Sequence, residues 1–237
     1  MPLELTASHF IERLEALQSA DERKKYERIF KFVKDNQYMG VRMGHIFALA
    51  KEFIDMPLDE VETLLESPYH EQRVGALSIM DKQARRKKIT ESERKALYDL
   101  YIRRHDRINS WDLVDVCCPH VVGGYLLDKP RDILYKLAKS KNTWERRTSV
   151  VATLFFIRQG EVDDAINIAE MLLSDDQDLI HKATGWALRE AGGVDRARLV
   201  AFLDRYAATM PRVTLRYAIE HFEPGQREHY LNIKKAK

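Results

Sequence analysis

Trp144-Glu-Arg-Arg-Thr-Ser-Val-Val151 has three counterparts in the chain: His70-Glu-Gln-Arg-Val-Gly-Ala-Leu77, Leu179-Ile-His-Lys-Ala-Thr-Gly-Trp186 and Val213-Thr-Leu-Arg-Tyr-Ala-Ile-Glu220. Each has a basic residue at its fourth place: Arg73, Arg147, Lys182 and Arg216. The last three are 35 and 34 residues apart, and the 74 residues from Arg73 to Arg147 span two periods. The intervening copy should fall at Ser110-Trp-Asp112. No segment alternates as a strand does, and the remaining sequence reads as short amphipathic helices.

A period of this length with two helices per unit signals an α-solenoid of HEAT type, because one unit cannot bury its apolar face alone. The expected fold is all-α: HEAT-like helical repeats forming one domain over 1–237, curved, with the second helix of each unit lining a concave basic face. Expected helices are Thr6–Leu17, Glu22–Lys34, Met43–Phe53, Leu58–Leu65 behind Pro57, His70–Lys82, and one through Arg103 opened by a Thr90/Glu93 capping box. Then follow Ser110–Leu127, Pro130–Ala138, Thr143–Arg158, Val162–Leu173, Gln177–Ala191, Arg196–Ala208, Pro211–Phe222 and Gln226–Lys234. Asn36–Gly40 reads as a turn and Gly192-Gly193 as a helix stop.

Composition agrees. With 45% hydrophobic and 32% charged residues, and only 10 Gly and 7 Pro in 237, the chain reads as a soluble globular protein of helices and short turns. A net charge of +2 decides nothing unless its 39 basic and 37 acidic residues segregate. The two cysteines, Cys117 and Cys118, are adjacent, which strains a disulfide and fits free thiols in a reducing cytoplasm. No signal-peptide apolar region or membrane-length stretch occurs, so a cytoplasmic location is expected. The eight histidines show no metal-ligand spacing, and no Gly-rich phosphate loop is present.

In the central repeat, Ser110-Trp-Asp-Leu-Val-Asp115 stands where its neighbours carry a base. Trp111 and Asp115 are four apart and share a helical face, which continues through Val114, Cys118 and Val122. A carboxylate among apolar neighbours is costly without a partner or a task. Asp112, two residues after a Ser N-cap, suits the helix dipole. Pro119 denies an amide to the Asp115 carbonyl, so the helix should bend just past the carboxylate.

The basic ladder has two readings. Each rung can pair with an acid in the adjoining turn and hold the stack, or the rungs can face a polyanion. Arg146, Arg189 and Arg212 add charge near them, and several bases on one curved face suit a duplex backbone. Trp144 reads as core. Trp111 and Trp186, with Asp115, read as an aromatic cleft for a cation.

Taken together, Ser110–Asp115, Trp144-Glu-Arg-Arg147, His181-Lys-Ala-Thr-Gly-Trp-Ala-Leu-Arg-Glu190 and the turn Tyr38-Met-Gly-Val-Arg42 resemble the AlkD-type DNA alkylation repair proteins, HEAT-like-repeat DNA glycosylases. The resemblance covers nearly the whole chain and is strongest from about Arg103 to Phe222. It implies excision of N3- and N7-alkylated purines from duplex DNA, without a metal or cofactor, and without flipping the lesion into a pocket. It implies Asp115 as the catalytic carboxylate, Trp111 and Trp186 as the cleft tryptophans, Arg147 as a phosphate contact and Arg189 as a further basic position. With Lys182, Arg146, Arg73, Arg216 and Arg212 from the ladder, these make up the expected DNA-binding set. The chain departs from the family at Phe30-Lys-Phe-Val33, where the best-known members have a tyrosine.

The expected partner is double-stranded DNA containing alkylated bases, met by a monomer away from membranes. Two rival readings are a non-catalytic binder of DNA structures, which predicts salt-dependent DNA binding without base release, and a protein scaffold, which predicts no DNA affinity.

Overall fold

The computed structural model describes residues 4–30 and 36–233. Its helices are α1 (Ala7–Glu15), α2 (Ala20–Ile29), α3 (Met43–Glu52), α4 (Leu58–Leu65), α5 (His70–Ala84), α6 (Glu91–Arg103) and α7 (Trp111–Cys118). The short α8 (Gly124–Leu126) precedes α9 (Asp132–Leu137), α10 (Thr143–Ile157), α11 (Asp163–Met171), α12 (Asp178–Val194), α13 (Arg196–Tyr206), α14 (Arg212–Ala218) and α15 (Pro224–Asn232). Among the described residues there is no strand, only an isolated bridge between Gln37 and Tyr69. None of the described helices is long and apolar enough to cross a membrane. The expected helix ends at Lys34 and Lys234 lie outside the described residues.

Local chemistry sets the helix starts. The hydroxyls of Thr6 and Ser19, the Asn142 amide oxygen and the Asp195 carboxylate each accept an amide of the first helical turn. Thr90 and Glu93 form the expected capping box. The bend expected at Pro119 takes the form of a π-helical turn over Pro119–Gly123, since proline has no amide hydrogen to continue the regular α-helical ladder. Gly192-Gly193 does not stop α12, which runs on to Val194. A Cβ at Gly192 would lie 2.2 Å from Leu199 Cδ2, so this glycine serves the close approach of α13.

The described contacts divide into two compact units, residues 1–125 and 126–237. In the first, α5 packs against α3, α4 and α7. In the second, α10 packs on α9, α11 and α12, and α12 on α13 and α14. Within each unit, then, the second helices of successive pairs lie against one another, as the repeat spacing requires. Their central helices are buried along most of their length; in α5 only Lys82 escapes. Polar groups on such helices need internal partners, and these partners organise the candidate site.

Candidate functional site

In the first unit the site is built on α7. Leu113, Val114, Cys117 and Cys118 are fully buried, whereas Trp111 and Asp115 are half-buried. Asp115 therefore shares Trp111's strip at the edge of the helix and not the apolar face of Val114, Cys118 and Val122. The more buried carboxylate is Asp112. Its Oδ2 lies 2.7 Å from Nε2 of His70 on α5, and its Oδ1 accepts the Ser110 hydroxyl at 2.6 Å. Asp112 is thus more than a complement to the helix dipole, and Ser110 caps no amide with its side chain.

Trp111 leans on an aromatic cluster. Its ring lies 6.0 Å from Phe30, stacked at 22°, and Phe30 in turn stacks 6.0 Å from both Tyr26 and Tyr38. Phe30 therefore occupies the wall beside Trp111; Lys31, Phe32 and Val33 lie outside the described residues. An apolar groove of about 290 Å³ runs along Trp111, Phe30, Tyr26, Ile29 and Met43, with Glu22, Lys25 and Arg42 on its rim. The cysteines of α7 are buried and form no disulfide, and burial pushes the Cys117 thiol well up. A buried thiol of that kind is inert.

Glu71 was not singled out in the sequence. Its buried carboxylate accepts the amides of Met39 (3.0 Å), Gly40 (2.7 Å) and Val41 (3.3 Å), which clamps the turn before α3. Gly40 sits at φ 84°, and a Cβ there would come 2.3 Å from the Ser19 carbonyl oxygen. Arg73 is expected on a DNA-facing rung but is only 2% exposed. Its guanidinium donates to Asn36, to the Arg107 carbonyl (3.1 Å) and to Asn109 (3.0 Å). Burial lowers it to about 10. Here the structural reading of the ladder holds.

In the second unit the ladder divides. Arg146 makes a forked pair with Asp175 (2.6 and 3.2 Å) and donates to the Ser140 carbonyl. Arg147 is 5% exposed and donates to the Leu179 carbonyl at 2.7 Å, tying α10 to α12. Arg212 donates to the carbonyls of Leu231 and Ile233 at the end of α15. The structure gives these three bases packing work.

Lys182, Arg189 and Arg216 reach solvent more freely. Lys182 and Arg189 share one strip of α12 with the half-buried Trp186. Lys182 pairs with Asp178 at 2.6 Å, which raises its pKa. Burial works against the Arg189 charge, but Glu220 and Glu190 outweigh it. Trp186 donates to Glu190 at 3.2 Å, and Arg216 is exposed on α14. On the same strip, a Cβ at Gly185 would lie 2.5 Å from Tyr217 Cβ and 2.7 Å from the Thr214 carbonyl oxygen; its absence lets α14 close on α12. Trp144, expected in the core, is half-buried. His181 is structural, bonding to the Asp175 carbonyl. Among the described residues, no group of three or more His, Cys, Asp or Glu could hold a metal ion.

These stacked helix pairs define the class, an all-α helical-repeat solenoid. The chain belongs to the DNA alkylation repair enzyme family, which matches residues 10–222. Its fold is similar to that of a predicted DNA alkylation repair enzyme from Enterococcus faecalis, with a TM-score of 0.70 and 16% identity over 87% of this chain and 97% of that chain. At such identity the likeness concerns the fold alone. No curated protein matches the chain. Family membership implies a role in DNA alkylation repair, with DNA as the substrate.

Proposed function

We propose that the chain is a monofunctional DNA glycosylase that releases cationic N3- and N7-alkylated purines from duplex DNA, working as a monomer and as one HEAT-like-repeat domain. The observation that carries this reading is the placement of Trp111 and Asp115. They stand together, half-exposed, on a helix whose other side does the packing.

The chemistry needs little more. Alkylation leaves the purine positively charged, so the base departs without a general acid. The N-glycosidic bond breaks with its electron pair passing to the base, which leaves neutral, and positive charge develops on the deoxyribose. A fixed carboxylate at Asp115 stabilises that oxocarbenium-like charge. Water then adds to C1′ and gives up a proton, for which Asp115 is the acceptor at hand. Trp111, beside Asp115 on α7, holds the sugar edge. Lys182, Arg189 and Arg216 supply phosphate contacts, which add affinity without sequence information. Arg73 has no part in this set, and Arg146, Arg147 and Arg212 enter it only through the packing they hold.

The test is release of 7-methylguanine from methylated duplex DNA. Asp115→Asn should abolish release while duplex binding survives. Unchanged release by a folded Asp115→Asn variant removes the residue from the mechanism. Binding without release by the wild-type chain gives the function to a DNA-structure binder.

A further inference from the structure

Beneath Trp111 lies a chain of hydrogen bonds that the proposed chemistry does not use. It begins at Asn36 in the turn before α3. The Oδ1 of Asn36 accepts from Arg73 and, at 3.1 Å, from Nδ2 of Asn109. Two donors therefore fix the amide's orientation, and its Nδ2 must point the other way. There it meets Nδ1 of His70 at 3.3 Å. An amide nitrogen only donates, so Nδ1 of His70 has to accept and the ring hydrogen sits on Nε2. That hydrogen points at Asp112 Oδ2, 2.7 Å away. Asp112 in turn holds Ser110, the residue before Trp111. The same imidazole lies 4.7 Å from the Phe30 ring, on which Trp111 stacks.

We propose that Asn36, His70 and Asp112 form a positioning relay that sets the seat of Trp111 from two sides, through the start of α7 and through Phe30. His70 is 0% exposed and touches no substrate, so its role is positional. The relay has a direction. Arg73 and Asn109 orient Asn36, Asn36 chooses the His70 tautomer, and the tautomer aims a donor at the carboxylate beside Trp111. This gives the buried Arg73 a function of its own. The inference about substrate turnover rests on the glycosylase reading; the inference about Trp111 does not.

Two measurements on the full chain test it. In ¹⁵N-labelled protein, His70 should show the Nε2–H tautomer with an unprotonated Nδ1; an Nδ1–H tautomer overturns the relay outright. In a Trp144→Phe/Trp186→Phe background, Trp111 is the only tryptophan left to emit. Adding Asn36→Ala should shift its emission to the red and raise its access to acrylamide. Asn36→Asp, which keeps the shape and can accept a hydrogen bond from an Nδ1–H of His70, should restore both. In the wild-type background, Asn36→Ala should lower the 7-methylguanine release rate roughly 10- to 100-fold with little change in KM, as expected when a positioned group drifts by a fraction of an ångström. Unaltered Trp111 emission in folded Asn36→Ala overturns the proposal. If wild-type protein releases no base, the glycosylase reading fails and the tautomer and emission still decide the relay.

Discussion

Replacing Glu71 by Gln changes no volume, so its cost reports hydrogen bonding and charge alone. The carboxylate accepts three amides, Gly40 and Val41 on Oε1 and Met39 on Oε2. Glutamine offers one oxygen. In its better orientation that oxygen keeps Gly40 and Val41, while the new NH₂ faces the Met39 amide, donor against donor. A lost hydrogen bond to a charged group costs about 1.5–3 kcal/mol. The two that survive weaken from charged to neutral, roughly another 1 kcal/mol together by the same scale. The expected loss is about 2.5–4 kcal/mol, a large share of a typical stability of about 5–15 kcal/mol. Urea unfolding of both proteins measures it, and amide exchange at Met39, Gly40 and Val41 localises it. Glu71→Ala should be worse, since it strands all three amides and opens a cavity. A loss under about 1 kcal/mol, with unchanged protection at those amides, refutes the claim that one carboxylate clamps the turn that carries Asn36.

Gly185→Ala drives a Cβ into Tyr217 and the backbone of Thr214. Overpacking costs about 1–3 kcal/mol and helix propensity returns about 1, so a scanning calorimeter should show Tm lowered by a few degrees; a raised Tm sinks the close-approach argument. Burial raises the pKa of Tyr26 and Tyr38. Their stability contribution is therefore complete below the unfolded value near 10 and is lost as pH rises toward the folded values. Tyr26→Phe should flatten that alkaline decline in stability-versus-pH curves, and an equally steep decline removes Tyr26 as its source. Lys182→Ala and Arg216→Ala should each reduce the salt slope of duplex binding by about 0.9. An unchanged slope in fluorescence anisotropy excludes the residue from the phosphate track.

The repeat was legible because helix pairs must recur in phase to stack, and the period alone located α5, α7, α10, α12 and α14. Depth was not legible. Arg73, Arg147, Lys182 and Arg216 hold the same place in their repeats, yet two are buried and two are not, because depth depends on what a neighbouring repeat offers. The two buried rungs share one feature: each sends a bond one repeat forward, to the helix start of the next repeat. Arg73 reaches Asn109, 36 residues on; Arg147 reaches the Leu179 carbonyl, 32 residues on. Thr214 reaches back 33 residues to the His181 carbonyl along the same path. His70 and Asp112 stand in the same relation at 42 residues. That signal was present in the sequence, since both open second helices of adjacent repeats, but the local reading of Asp112 as a dipole partner hid it. Lys182 departs from that pattern, for it turns back to Asp178 in its own helix. A rung that reaches the next repeat is spent on the fold, and a rung that does not remains for a polyanion. On that argument the proposed phosphate contacts belong to the late rungs, Lys182 on α12 and Arg216 on α14, while the early rung at Arg73 is committed to the floor beneath Trp111.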